Sequence, residues 1–145
     1  RAKEHIVNKN FVVIVEGFMH VFGLWARGIR NVVSLQGTTI QRERIPLLLR
    51  YTKTVIAIPD TDKAGQGGWR HLSKVLKDEP YNMSVFRLIL PEEYNDIDEF
   101  LLNSPTSSSL PVVEALKNPW AKRNSPKSDT IEIKNKVLKT FKNLV

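Results

Sequence analysis

Five carboxylates and one imidazole stand just after apolar stretches of this chain. Glu16 follows Phe11-Val12-Val13-Ile14-Val15, Asp60 and Asp62 follow Thr54-Val55-Ile56-Ala57-Ile58-Pro59, Asp96 and Asp98 come shortly after Met83–Leu90, and His20 lies four residues beyond Glu16. Residues two apart in an extended chain point the same way, so Asp60 and Asp62 can turn both carboxylates toward one point. Gathered without a counter-ion, such acids repel one another and some acquire raised pKa values, so a shared cation is the economical explanation. Hard oxygen donors select Mg²⁺ or Mn²⁺ and leave coordination positions open to phosphate oxygens. A plainer reading stays open beside this one. An acid ahead of a helix is commonly its N-cap, which would suffice for Asp62 and for Asp96 or Asp98, and His20 beside Met19 and Val21 can be a packed histidine.

The elements that would position these residues alternate regularly. Phe11–Val15 is continuously apolar and reads as a strand buried on both faces, the kind found in parallel sheets. Apolar residues at helical spacing predict a helix from Phe18 to Ala26, with Gly28 placed to end it. Asn31–Leu35 reads as a second strand. Thr38 and Gln41 suggest a capping box for a helix reaching Tyr51, although Pro46 inside it marks either a kink or the first turn of a shorter helix. Thr54–Pro59 is a third strand, Ala64–Leu76 a helix, Met83–Leu90 a fourth strand and Ile97–Leu102 a short helix. Strands and helices alternating at this pace predict a parallel α/β sheet. In such sheets ligands bind beyond the carboxyl ends of the strands, where all of these acids fall.

Past Leu102 the pattern changes. Ser104–Ser109 is turn-like, Pro111–Lys117 reads as a short helix, and Asn118–Thr130 is rich in Pro, Ser, Asn and charge, as linkers are. Ile131, Val137, Leu138, Phe141, Leu144 and Val145 suggest one face of a basic amphipathic helix. The expected organisation is therefore 1–103 as the α/β domain, 104–130 as short helix and linker, and 131–145 as a small helical tail that starts a following domain.

Charge is uneven. The chain carries +7 overall with a pI near 9.8, which suits a polyanionic partner. Residues 117–145 hold eight Lys and Arg against two acids, leaving fourteen against thirteen for residues 1–116. There is no cysteine, so disulfides, cysteine-based zinc sites and thiol catalysis are excluded from these residues. No apolar run approaches the roughly 20 residues needed to span a bilayer. The opening Arg1-Ala2-Lys3-Glu4 reads as part of a helix, not a secretion signal, and points to a fragment of something longer. Gly65, Gly67 and Gly68 either let backbone approach phosphate or serve close packing. Lys63 and Arg70 flank that loop as candidate phosphate contacts or as solvated charges. Trp25 and Trp69 are read as core, and His5 and His71 receive no role.

Three stretches carry a specific likeness. Val15-Glu16-Gly17-Phe18-Met19, then Asn31-Val32-Val33-Ser34-Leu35-Gln36-Gly37-Thr38, then Asp60-Thr61-Asp62-Lys63-Ala64-Gly65 closely resemble the TOPRIM domain of bacterial-type (DnaG-like) DNA primases. Asn95-Asp96-Ile97-Asp98-Glu99-Phe100-Leu101 resembles the family's third acidic motif. The likeness covers about residues 2 to 103. It implies a compact, Rossmann-like TOPRIM fold of about four parallel strands with flanking helices. It also implies Glu16, Asp60 and Asp62 as catalytic residues, and a Mg²⁺ site, with Mn²⁺ as substitute, drawn from Glu16, His20, Asp60, Asp62, Asp96 and Asp98. Lys63, Gly65 and Arg70 would meet nucleotide or nucleic acid. The implied activity is nucleotidyl transfer making short RNA primers from nucleoside triphosphates on single-stranded DNA, in the cytoplasm of a bacterial or phage-infected cell, with a replicative helicase as partner. Nuclease or topoisomerase chemistry, and a non-catalytic module binding nucleic acid or helicase, are the alternatives. Two departures stand out: His20 replaces the family's further aspartate, and Ile97 stands where proline is common.

Overall fold

The computed structural model describes residues 1–36, 42–117 and the strand residues 132–133, 138–139 and 141–143. Four apolar stretches form the parallel strands β1 (Val12–Val15), β2 (Val32–Ser34), β3 (Thr54–Ile58) and β4 (Ser84–Leu88). They lie side by side in the order β2-β1-β3-β4. Their side chains alternate between two cores, as period-two geometry demands. Val13, Val15, Ile56, Ile58, Phe86 and Leu88 pack on one face, and Val12, Ile14, Val55, Ala57 and Val85 on the other. Most strand positions are apolar because neither face of the sheet is left to water; the exceptions are Ser34, Thr54, Ser84 and Arg87.

Six helices cover the two faces. The first core is closed by α2 (Phe18–Ala26), α5 (Ile97–Asn103) and α6 (Thr106–Lys117), and the second by α1 (Ala2–Lys9), α3 (Ile45–Leu49) and α4 (Lys63–Lys77). Gly28 ends the turn after α2 at φ 82°, backbone space that a β-carbon disfavours. The helix expected up to Tyr51 is shorter than its sequence suggested. A 3₁₀ turn over Arg42–Arg44 leads into α3, with Pro46 in its first turn, where a missing N–H costs nothing. Thr38 and Gln41 lie outside the described residues.

The C-terminal third departs further from expectation. α6 begins at Thr106, five residues before the expected Pro111, and buries Val112, Val113 and Leu116 in the first core, so this part of 104–130 is body and not linker. Residues 118–131 lie outside the described ones. Where a helix is expected over 131–145, the described residues are strands instead: β5 (Glu132–Ile133) pairs with β6 (Leu138–Lys139), and β7 (Phe141–Asn143) adds antiparallel to β4. Two causes explain this. Ile131-Glu132-Ile133-Lys134 alternates β-branched and polar residues, which suits a strand better than a helix. The free edge of β4 also offers unpaired backbone groups that a further strand satisfies. Among the described residues no helix is long and apolar enough to cross a membrane.

Leu116 tests where the body ends. It is fully buried, so Leu116→Ala should cost about 2–5 kcal/mol in urea unfolding, whereas Leu110→Ala on the exposed side of α6 should stay within about 0.5 kcal/mol. Equal, small losses would make α6 an appendage.

Candidate active site

Order in the sheet determines where the acids meet. The chain runs from β1 to β2 on one side, then returns to place β3 on the other side of β1, so the topological switch point lies between β1 and β3. Glu16 leaves the end of β1 and Asp60 the end of β3, with Val15 and Ile58 paired in register just below them. The backbone N–H of Asp60 donates to Glu16 Oε1 at 3.3 Å. The loop after β4 is fastened to the same edge. Thr61 donates its backbone N–H to the Asn95 carbonyl at 2.8 Å and its hydroxyl to the Tyr94 carbonyl at 2.9 Å, which brings Asp96 beside Asp60.

His20 sits between them, and it is buried. Its Nδ1 is 3.9 Å from Asp60 Oδ1 and its Nε2 is 3.7 Å from Asp96 Oδ2. As the third residue of α2 it lies in the helix's first turn, facing the acids. The plain reading of a packed histidine is thus only half the account, since the packing aims the ring at two carboxylates. Asp98 is on the same side, its carboxylate filling the space beside Gly23 where any side chain would stand.

The two N-cap expectations hold. Asp62 Oδ1 accepts from the Gly65 N–H at 2.6 Å and caps α4, while Asp96 Oδ1 accepts from the Glu99 N–H at 2.8 Å and caps α5. Gly65 serves close packing. A β-carbon there would lie 2.6 Å from both the Asp60 carbonyl oxygen and Glu16 Oε1, so only glycine lets α4 start against the acidic edge. Lys63 and Arg70 are exposed on α4. Trp69 is buried in the second core, and Trp25, partly buried, packs against the first.

Electrostatics record the crowding. Asp60 is pushed up from the ordinary 3.8 to about 6, first by burial and then by Glu16, with His20 offsetting part of the cost. Glu16 is raised by burial, against the Asp60 N–H bond and together with Asp62. Burial likewise raises Asp98, while His20 and Arg27 oppose the shift. Six candidate ligands therefore share one edge and feel one another's charge. Among the described residues, however, no three of them already converge at ligand spacing. The chemistry of the set still suits a hard divalent ion, since oxygen donors predominate and their charge is under-compensated.

Sequence reasoning missed three residues that organise this edge. Gln66 donates from Nε2 to the Asp60 carbonyl at 2.8 Å and accepts from Arg87 Nη1 at 2.8 Å. Arg27 donates to the carbonyls of Gly23 and Leu101 at 2.9 and 3.1 Å, joining α2 to α5. Gln66 stands one helical turn after Asp62 and was findable on that spacing. Arg27 and Arg87 are lone cations whose partners are carbonyls or a remote amide, and no local pattern marks them.

A four-stranded parallel sheet, acids at its switch point and helix-capping aspartates define a TOPRIM-type site. The chain belongs to the Toprim-like family, whose profile matches residues 13–101. Within that family the likeness is to DnaG-like primases. The DNA primase of Aquifex aeolicus (strain VF5) is 36% identical over 100 residues, covering 69% of this chain and 20% of that protein. The crystal structure of the Aquifex aeolicus primase zinc-binding and RNA polymerase domains superposes with a TM-score of 0.68 at 32% identity, over 79% of this chain and 28% of that one. The DnaG primase catalytic domain bound to single-stranded DNA superposes with a TM-score of 0.60 at 27% identity, over 78% of this chain and 35% of that one. The chain spans one fifth or less of the length of the curated relatives it matches, and what it matches is the catalytic-core region of DNA primases.

Two variants probe the edge. Because the folded protein holds the Asp60 proton more tightly than the unfolded chain does between pH 3.8 and about 6, stability should fall as pH rises through that window. Asp60→Asn should therefore stabilise the metal-free protein at pH 7 by about 1 kcal/mol, a figure reduced for a carboxylate that still touches solvent. Near pH 4 the advantage should vanish, as urea unfolding at the two pH values would show. Gly65→Ala should cost about 1–3 kcal/mol by overpacking, because a backbone carbonyl cannot move aside.

Proposed function

We propose that the chain is the metal-holding part of a DNA primase, joining nucleoside triphosphates into short RNA primers on a single-stranded DNA template. The observation that carries this is the set of mutually repelling acids at the switch point of a primase-like TOPRIM sheet. Glu16, Asp60 and Asp62 would hold Mg²⁺ or Mn²⁺, with Asp96, Asp98 and His20 completing or adjusting the set. When bound, the cation lowers the cost of ionising the attacking 3′-hydroxyl and neutralises charge on the leaving pyrophosphate.

The chain's own residues do the rest. Glu16 Oε1 is tied to the Asp60 N–H, which leaves Oε2 to accept the proton of the attacking hydroxyl. The upward shift of Glu16 brings its proton affinity closer to what a base needs near neutrality. Asp62 and Asp96, held by their caps, keep one oxygen each for the cation. Lys63, next to Asp62, is placed to meet a triphosphate oxygen. His20 adds no negative charge to the edge that meets an incoming polyphosphate, where a further aspartate would.

Positioning is the weak point. With fourteen basic residues against thirteen acids in residues 1–116, net charge adds little to template binding, so any grip within this chain must come from a local cluster of cations, and a single such cluster is a weak hold for polymerisation. Primer synthesis should therefore be poor for these 145 residues and strong for a longer natural chain that includes them, assayed with Mn²⁺, labelled nucleotides and single-stranded template. Synthesis by neither, with Mn²⁺ still bound, would move the reading to nuclease chemistry or a binding module.

A further inference from the structure

Helix α4 separates its charge from that of the acidic edge it caps. Its fifteen residues contain Lys63, Arg70, Lys74 and Lys77 and no acid. At 100° per residue these four cations fall within an arc of about 60°, opposite the buried Gly65, Trp69, Leu72 and Leu76. Lys63 stands in the first turn, where the helix dipole disfavours a cation, so helix stability does not account for it. No carboxylate among the described residues is paired with Lys63, Arg70 or Lys74.

Arg87 extends the row from the neighbouring strand. It lies on β4 beneath the start of α4, bonded to Gln66, and its Nε is buried without a partner. Arg70 adds like-charge repulsion to the burial that already disfavours its charge. A cleft of about 280 Å³ opens there, lined by Pro59, Thr61, Gln66, Arg87, Leu90 and Glu92. Arg70 and Arg87 feel each other's charge and no acid among the described residues is bonded to either, so an anion would relieve both. Glu92 also lines the cleft, which favours an anion on the side away from it.

We propose that Lys63, Arg70, Lys74 and Arg87 form a track for the phosphodiester backbone of single-stranded nucleic acid, running along α4 and ending at the carboxylate edge. The exposed arc carries no aromatic residue, so the track grips phosphate and is indifferent to base sequence. It spans about 16 Å from Lys63 to Lys74 at 1.5 Å per residue. Near-neutrality of the body does not oppose it, because the acids are gathered at one end of α4 and the cations along its flank. The track deepens the primase reading, since it would feed a strand to the site proposed there.

The test is fluorescence anisotropy of a labelled oligothymidylate with EDTA present, at several salt concentrations. The whole chain is compared with Lys63→Gln/Arg70→Gln/Lys74→Gln and with a charge-matched control, Lys3→Gln/Arg30→Gln/Lys53→Gln. The track predicts roughly a tenfold or greater loss for the α4 variant and a salt slope shallower by about 2, from about 0.7 per phosphate contact on single strands, with little change for the control. Arg87→Lys, which keeps the charge but loses the guanidinium fork, should weaken binding without changing the slope. Equal losses in the α4 and control variants, or no binding by the unaltered chain at low salt, would overturn the track. Circular dichroism of each variant excludes misfolding. Since the measurement excludes metal and catalysis, its failure would leave the primer-synthesis result intact, and failed synthesis with α4-dependent binding would fell the primase reading alone.

Discussion

The whole arrangement depends on one electrostatic constraint: several carboxylates must be held within reach of one another at the carboxyl edge of a sheet. Left to itself such an edge disperses. Here the acids leave strands buried on both faces, so their Cα positions are fixed by apolar packing that has no freedom to relax the repulsion. Glu16 and Asp60 are further locked by a direct hydrogen bond, and the cost remains visible in an Asp60 pushed up to about 6. Burial is the larger cause of that rise and Glu16 the next, and under the proposed function a bound cation would offset both.

The relief supplied from within is partial. His20 reaches toward Asp60 and Asp96 at distances beyond ordinary hydrogen bonds, and the N-caps use one oxygen each of Asp62 and Asp96. These contacts orient the side chains and leave oxygens over. Helix α4 links the two kinds of charge in the molecule. Its N-terminus is capped by an acid of the site, its third residue must be glycine to fit against Glu16, and it carries Lys and Arg but no acid along its length.

Much of this was legible in the sequence because each feature had a local signature. Short, mostly apolar runs marked the four parallel strands, and acids shortly after three of them marked the edge. Phe18–Ala26 was bounded correctly because Glu16-Gly17 and Gly28 punctuate it. Legibility failed where non-local forces decide. The strand Phe141–Asn143 exists by virtue of the open edge of β4, and apolar spacing read as helical could not reveal that edge. Pro111 looked like a helix start, yet burial of Val112, Val113 and Leu116 carries the helix through it. His20 was undecidable from its neighbours, since its meaning lies in Asp60 and Asp96, far along the chain. Arg87 looked like any strand cation until the fold set it beneath Gln66 and Arg70.

Direct observation of the missing charge tests the account most sharply. In electron paramagnetic resonance, the signal of free Mn²⁺ should fall on addition of the protein, showing binding, and Glu16→Gln and Asp60→Asn should each weaken that binding at least roughly tenfold while remaining folded, because each removes a charged ligand from a shared ion. Titrations that coincide for the unaltered protein and both variants, or a signal that the protein never diminishes, would contradict the claim that this acidic edge is built around a cation.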